Sequence, residues 1–411
     1  MHEPTTALRV NGPRLLARLD ALAEFGAIAG GGCCRLALTD DDKAGRDLVV
    51  SWMGDAGLDI RVDAVGNVIA QWGPADQAPV MMGSHIDTVR TGGRYDGNLG
   101  VLAGLEVIES VMESGMAPSR PLAVAFFTDE EGSRFPPDML GSLTYVGGLP
   151  IEAVHDIVGI DGRRVGEELA RIGYLGPHPC PGPAPHAYVE LHVEQGPVLE
   201  AGGVDIGVVE GVQGISWREL TITGQANHAG TTPMMMRHDA GYAAAAIATF
   251  VREMAREMGP PQVATVGRLS LRPDLVNVVP GSATLTVDLR HTDEGRLQEA
   301  EQRLATFSRH LSDTEGVTIA SRSLARFEPV AFAPSVVDTV ARVAERLGHS
   351  TLRLPSGAGH DAQMLARVCP AGMVFVPSVG GISHNPAEYT APNDLVAGAN
   401  VLLHVALELA S

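Results

Sequence analysis

Cysteine is scarce in this chain. Only Cys33, Cys34, Cys180 and Cys369 occur in 411 residues, too few for a disulfide framework at this size and suited to a reducing, cytoplasmic compartment. Basic residues are also in deficit, 30 against 49 acids for a net charge of −19, which argues against a nucleic-acid partner. No apolar stretch approaches the roughly 20 residues that a membrane helix needs. The opening "MHEPTTALRV" has no basic segment followed by an apolar core, so neither a membrane anchor nor a secretory signal is expected. What is present is an ordinary globular balance, 45% hydrophobic and 19% charged, in a chain long enough for two domains.

Continuous apolar runs alternate with helical patterns through the first half. "APVMMGSHI", "PLAVAFFT", "AYVELHVE" and "VDIGVVE" read as strands, and "DDKAGRDLVVSWMGDAG" and "GVLAGLEVIESVMESG" as helices. Such strands, separated by helices, predict a sheet covered on both faces and hence an α/β domain. From about Trp217 the rhythm changes. Strand "WRELTITG", a helix over about 238–257, strands "VATVGRLSL" and "ATLTVDLR", a helix over about 293–313 and strand "VTIASRSL" follow in order. That is a βαββαβ, ferredoxin-like block. The expected organisation is a larger α/β domain of residues 1–210 and 328–411, interrupted by an inserted domain of residues 211–327.

The residues able to carry chemistry fall at predicted strand ends, where open α/β sheets place their ligands. The strand "APVMMGS" runs into His85 and Asp87, two apart and so able to share a face. A carboxylate beside an imidazole suits a partner that orients a metal-bound histidine, although H-x-D alone does not establish a metal. In "TGGRYDGNLGVLAG", Asn98 reads as the helix cap, which frees Asp96 for another role. "FFTDEEGSRF" sets three carboxylates after a buried strand. Strand alternation would send Glu130 and Glu131 to opposite sides, and Asp129 reads as a solvated turn. His192 in "ELHVEQGPVLE" and His384 in "GGISHNPAEY" complete the set. Together His85, Asp96, Glu131, His192 and His384 offer imidazoles for zinc-like ions and a carboxylate to bridge two of them.

The ordered motifs "GSHIDTVRTGGRYDGNLGV", "DEEGSRF", "LHVEQGP", "GQANHAGTTPM", "NVVPG…DLR", "SGAGHDA" and "GISHNPAEY" resemble the dinuclear-metal amidohydrolases. That family contains N-carbamoyl-L-amino-acid hydrolases, metal-dependent β-ureidopropionases and allantoate amidohydrolases, and is related to aminoacylases and carboxypeptidase G-like enzymes. The resemblance runs from about residue 10 to the C-terminus. It implies a metallopeptidase-like catalytic domain with a mixed sheet, holding two divalent ions (Zn2+, Mn2+ or Co2+), and a lid through which two copies dimerise. His85, Asp96 and His192 would ligate one ion and Asp96, Glu131 and His384 the other, with Asp96 bridging. A histidine at 192 is informative, because peptidase and aminoacylase relatives generally have a carboxylate at that position. Glu130 resembles the general base, and Asp87 the residue that orients His85. His228, with Asn227 beside it, resembles the oxyanion stabiliser contributed in trans. Asn277 and Arg290 resemble the binders of the substrate carboxylate, a task for which a guanidinium fork is suited. Gln195 and His360 resemble further substrate contacts.

The expected activity is hydrolysis of the carbamoyl C–N bond of an N-carbamoyl-L-amino acid. Allantoate is the alternative substrate, and an N-acyl-amino-acid or peptide substrate a more distant one. A cysteine-nucleophile amidase using Cys33 or Cys34 lacks a basic partner nearby in sequence; their Gly-rich segment "AGGGCCRLALT" reads as a flexible loop or pocket edge.

Overall fold

The computed structural model describes residues 7–74 and 76–411. The chain divides into two compact units, one running up to Gly211 and resuming over Ala331–Ser411, the other Val212–Val330. Among the described residues no helix is long and apolar enough to cross a membrane.

The first unit is built on a mixed, nine-stranded sheet. Its centre is four parallel strands in the order Leu122–Phe127, Val80–His85, Ala187–Val193, Ala371–Val376. Every residue of these four strands is buried, which explains why they read as unbroken apolar runs rather than alternating ones. Antiparallel strands extend both sides: Val68–Trp72 and Asp59–Val62 on one, Ile206–Val212 on the other. Helices Asn98–Glu113 and Pro392–Leu409 pack on each other and on the parallel strands. Phe126 and Phe127 are completely buried, and truncating such a side chain costs about 3–5 kcal/mol.

One local expectation is corrected. Asn98 is the first residue inside its helix, not the cap; Gly97 takes that place with φ +68. A Cβ on Gly97 would lie 2.4 Å from the His85 ring, so only glycine allows this approach in the left-handed region. The Asn98 side chain is used elsewhere, accepting from Arg35 Nη2 at 2.7 Å and donating to the Arg94 carbonyl at 3.2 Å.

The second unit has four antiparallel strands in the order Thr318–Phe327, Gly214–Thr223, Ser282–His291, Val263–Arg272. Numbered along the chain this is 4-1-3-2, the ferredoxin-like arrangement. Helices Ala240–Met258 and Glu294–Glu315 pack on the sheet, enclosing a core that includes Leu220, Ile222, Ile247, Val251, Leu285, Leu289 and Leu304. Burial in Ser282–His291 alternates residue by residue, as a sheet with one covered face requires.

Candidate metal centre

The four parallel strands end on one edge of the sheet, and each end supplies ionisable side chains. His85 closes Val80–His85, and Asp96 lies in the loop beyond it. Asp129, Glu130 and Glu131 follow Leu122–Phe127. His192 is the penultimate residue of Ala187–Val193, and His384 lies in the loop after Ala371–Val376. Parallel register aligns these ends, with His85 opposite Phe127 and His192 opposite Phe375.

Three groups of possible metal donors form there; one is Glu190, His192 and His360, and Asp96 belongs to the other two. Its Oδ1 lies 3.6 Å from His85 Nε2 and 3.2 Å from His192 Nε2. Its Oδ2 lies 3.5 Å from His384 Nε2, which in turn is 3.3 Å from Glu131 Oε2. In each group the donor atoms lie within 4.8 Å of one another. The histidine tautomers are fixed by carbonyls: His85 Nδ1 donates to the Asp87 carbonyl at 2.9 Å and His192 Nδ1 to the Val193 carbonyl at 2.8 Å. Each ring therefore turns Nε2, the nitrogen that a cation would take, toward Asp96.

The electrostatics fit cations. Burial, the Asp361 and Glu131 charges and nearby Asp87 push the Glu130 carboxyl well above its usual range, against the pull of His85. Burial and Asp96 do the same to Glu131. Burial opposes ionisation of Asp96 too, but His192 and His85 hold it well below the usual carboxylate range. Burial disfavours a charged His85, yet Glu130, Asp96 and Asp87 lift its pKa well above normal. A pocket of imidazoles and mutually repelling buried carboxylates is donor chemistry that divalent cations neutralise.

The expected separation of Glu130 and Glu131 exists for a different reason from strand alternation. The strand stops at Phe127, and Asp129 turns the chain with φ +56. Glu130 Oε2 then approaches His85 Nε2 at 3.3 Å, while Glu131 meets His384. Asp87 organises this turn: its two carboxylate oxygens accept the Glu130 and Glu131 N–H groups at 3.2 and 3.3 Å. The carboxylate is 4.0 Å from His85 Nδ1, so Asp87 orients that ring through its backbone carbonyl. The solvated-turn reading of Asp129 is overturned. The residue is fully buried; burial and neighbouring Asp87 raise its carboxyl well above normal. It faces the Phe135 N–H without a well-aligned hydrogen bond to either oxygen.

Other side chains come to the same edge. Gln195 Nε2 donates to Asp96 Oδ2 at 2.8 Å. His360 lies edge-on to His192 with ring centroids 4.6 Å apart and bonds Ser356 Oγ at 2.8 Å. Burial and the His192 charge depress its pKa, leaving a neutral ring. Four expected residues belong to the second unit. His228 and Asn227 pair with Val278 and Val279, and the Asn277 carbonyl accepts the Ala229 N–H at 2.9 Å. His228 Nδ1 accepts the Gly230 and Thr231 N–H groups at 3.1 and 3.2 Å, so its proton sits on Nε2 and can be donated. Arg290 engages Asp288 on its own strand.

Several contributors escape sequence reasoning. Glu388 Oε1 accepts the Tyr95 and Asp96 N–H groups at 3.1 and 3.2 Å, and glycine suits position 93 because a Cβ there would strike that carboxylate at 2.1 Å. Burial and Asp96 push Glu388 up to about 7. Arg35, fully buried, ties the Ile86 carbonyl to the Asn98 side chain. Arg46 bonds Asp42, the Gly66 carbonyl and Thr128 beneath the acidic turn. The only local hint was "DEEGSRF" itself: Arg134 anchors it to Asp161, Glu168 and the Ala37 carbonyl. In the Gly-rich cysteine segment Gly32 and Cys33 are buried, while Gly30 and Gly31 are exposed. Cys33 exchanges backbone hydrogen bonds with Gly92, and burial pushes both thiols up, away from a nucleophilic thiolate.

The family model for peptidase family M20/M25/M40 matches residues 81–408, and the chain belongs to that family, in its hydantoinase/carbamoylase branch. It is 42% identical to an N-carbamoyl-L-amino-acid amidohydrolase of Rhizobium meliloti, covering 100% of this chain and 99% of that protein. It is 38% identical to the allantoate amidohydrolase of Escherichia coli (strain K12), covering 95% and 96%. The crystal structure of an amidase of the hydantoinase/carbamoylase family from Burkholderia multivorans superposes with a TM-score of 0.95 at 46% identity, covering 98% and 99%. The chain is therefore a ureido or carbamoyl amidohydrolase acting on C–N bonds, of a family that is typically metal-dependent.

Proposed function

We propose that the chain hydrolyses N-carbamoyl-L-amino acids to the amino acid, CO2 and ammonia. The observation that carries this reading is the His85–Asp96–His192 group, with an imidazole at the third position; the 42% relative of that activity supports it. His85, Asp96 and His192 hold one divalent ion and Asp96, Glu131 and His384 a second. When bound, the ions supply an acidified water and polarise the carbamoyl oxygen. Glu130 takes a proton from the water that adds to the carbamoyl carbon. The proton then passes to the amino-acid nitrogen as its bond to that carbon breaks. The carbamic acid released falls to CO2 and ammonia. His228 donates its Nε2 proton in a hydrogen bond to the developing oxyanion, acting from the second copy in a homodimer. Asn227, Gln195 and His360 contact the ureido group, and Asn277 and Arg290 hold the carboxylate.

Allantoate is the second reading, favoured by the 38% relative. An ammonia-release panel on metal-reconstituted protein separates them. N-carbamoyl-L-amino acids are expected to give the highest kcat/KM, above N-carbamoyl-β-alanine and allantoate. A panel led by allantoate would replace this reading, and no release from any ureido acid would remove both.

A further inference from the structure

The face of the second unit's sheet turned away from its helices carries an ion pair that the scheme above leaves unexplained. Along Ser282–His291 the residues Ala283, Leu285, Val287 and Leu289 turn into the core, so Asp288 and Arg290 share the opposite face. Both Asp288 oxygens accept from Arg290 Nε at 3.1 Å, and Oδ2 also accepts from Nη2 at 2.9 Å. Trp217 sits directly opposite Asp288 on the neighbouring strand, and the guanidinium carbon of Arg290 lies 5.9 Å from its ring centroid. The Arg290 carbonyl is pinned by Gln262 Nε2 at 3.0 Å. The two charged side chains stay partly open, 21% and 29% exposed.

We propose that Asp288 is a positioning residue that holds the Arg290 fork against Trp217 in the orientation a substrate carboxylate needs. This rests on the reading that Arg290 binds that carboxylate. A long, rotamer-rich side chain otherwise loses its freedom when substrate arrives; the Asp288 pair and the indole restrict it beforehand, so binding is preorganised. A partly exposed ion pair contributes little to folding, so its effect belongs in substrate binding rather than in stability.

The test compares wild type, Asp288→Ala, Asp288→Asn and Arg290→Ala on an N-carbamoyl-L-amino acid. The matching alkylurea, which lacks the carboxylate, is measured as a competing inhibitor. Asp288→Ala should raise KM about tenfold with kcat and melting temperature nearly unchanged, and leave alkylurea inhibition unmoved. Asp288→Asn, which keeps an acceptor for Nε, should recover part of the loss. An unchanged or lowered KM in Asp288→Ala overturns the inference, the lowered value marking Asp288 as a competitor for the arginine. Equal weakening of both compounds also overturns it, as a merely structural role. If Arg290→Ala leaves KM unmoved, the carboxylate reading itself falls; if only Asp288→Ala does, that reading stands alone.

Discussion

The two units treat their polar residues in opposite ways. At the edge of the mixed sheet, His85, Asp96, Glu130 and His192 are at most 7% exposed, although Glu131 is half-buried and His384 exposed, and main-chain groups fix the two rings and the acidic turn. In the second unit Asn227, His228 and Asn277 are exposed, the first two on a short strand paired with Val278 and Val279 and the third just before that partner. Buried like charges are tolerable only where something neutralises them in place. Exposed donors exchange water for a ligand at small cost. The first arrangement suits permanent ligands and the second suits a substrate that comes and goes.

Damage to the buried region should therefore have the larger effects. Removing metal with a chelator should abolish ammonia release, and Mn2+, Zn2+ or Co2+ should restore it; activity that survives chelation would separate the cluster from catalysis. Glu130→Gln should lower kcat by about a thousandfold while metal content stays normal, and near-normal turnover would remove it as the base. Arg46→Ala should destabilise the fold by about 3–5 kcal/mol in denaturant unfolding, because Asp42 is left buried without its cation. A loss under 1 kcal/mol would show that the pair is not what supports the turn. On the exposed side the effect should be smaller. Arg290→Lys should raise KM about tenfold for carboxylate substrates, roughly 1.4 kcal/mol, with kcat and melting temperature unchanged.

The same contrast shows what could be read in advance. Strand ends followed by His85, Glu131, His192 and His384 were legible because unbroken apolar runs mark buried parallel strands and chemistry collects where they end. The ferredoxin-like order was legible from the switch to alternating strands. Roles set by backbone conformation were not. Nothing in "TGGRYDGNLG" says that a ring 12 residues earlier forbids a side chain at Gly97. Asp129 reads as solvated because acids that follow a strand usually are, and the left-handed turn at this residue is not legible from its type. Glu388 and Arg35 act across long sequence separations on main-chain and side-chain atoms, which residue types do not reveal. Asp87 suggested a carboxylate–imidazole pair, whereas its carbonyl and carboxylate do separate work.

The most direct test of a shared two-ion centre is calorimetric metal titration of the chelated protein beside Asp96→Asn and Glu131→Gln. The account predicts two sites per chain in the wild type, one in Glu131→Gln, and severe weakening of both in Asp96→Asn, whose side chain faces both groups. A single site in the wild type, or one site left intact in Asp96→Asn, would contradict it.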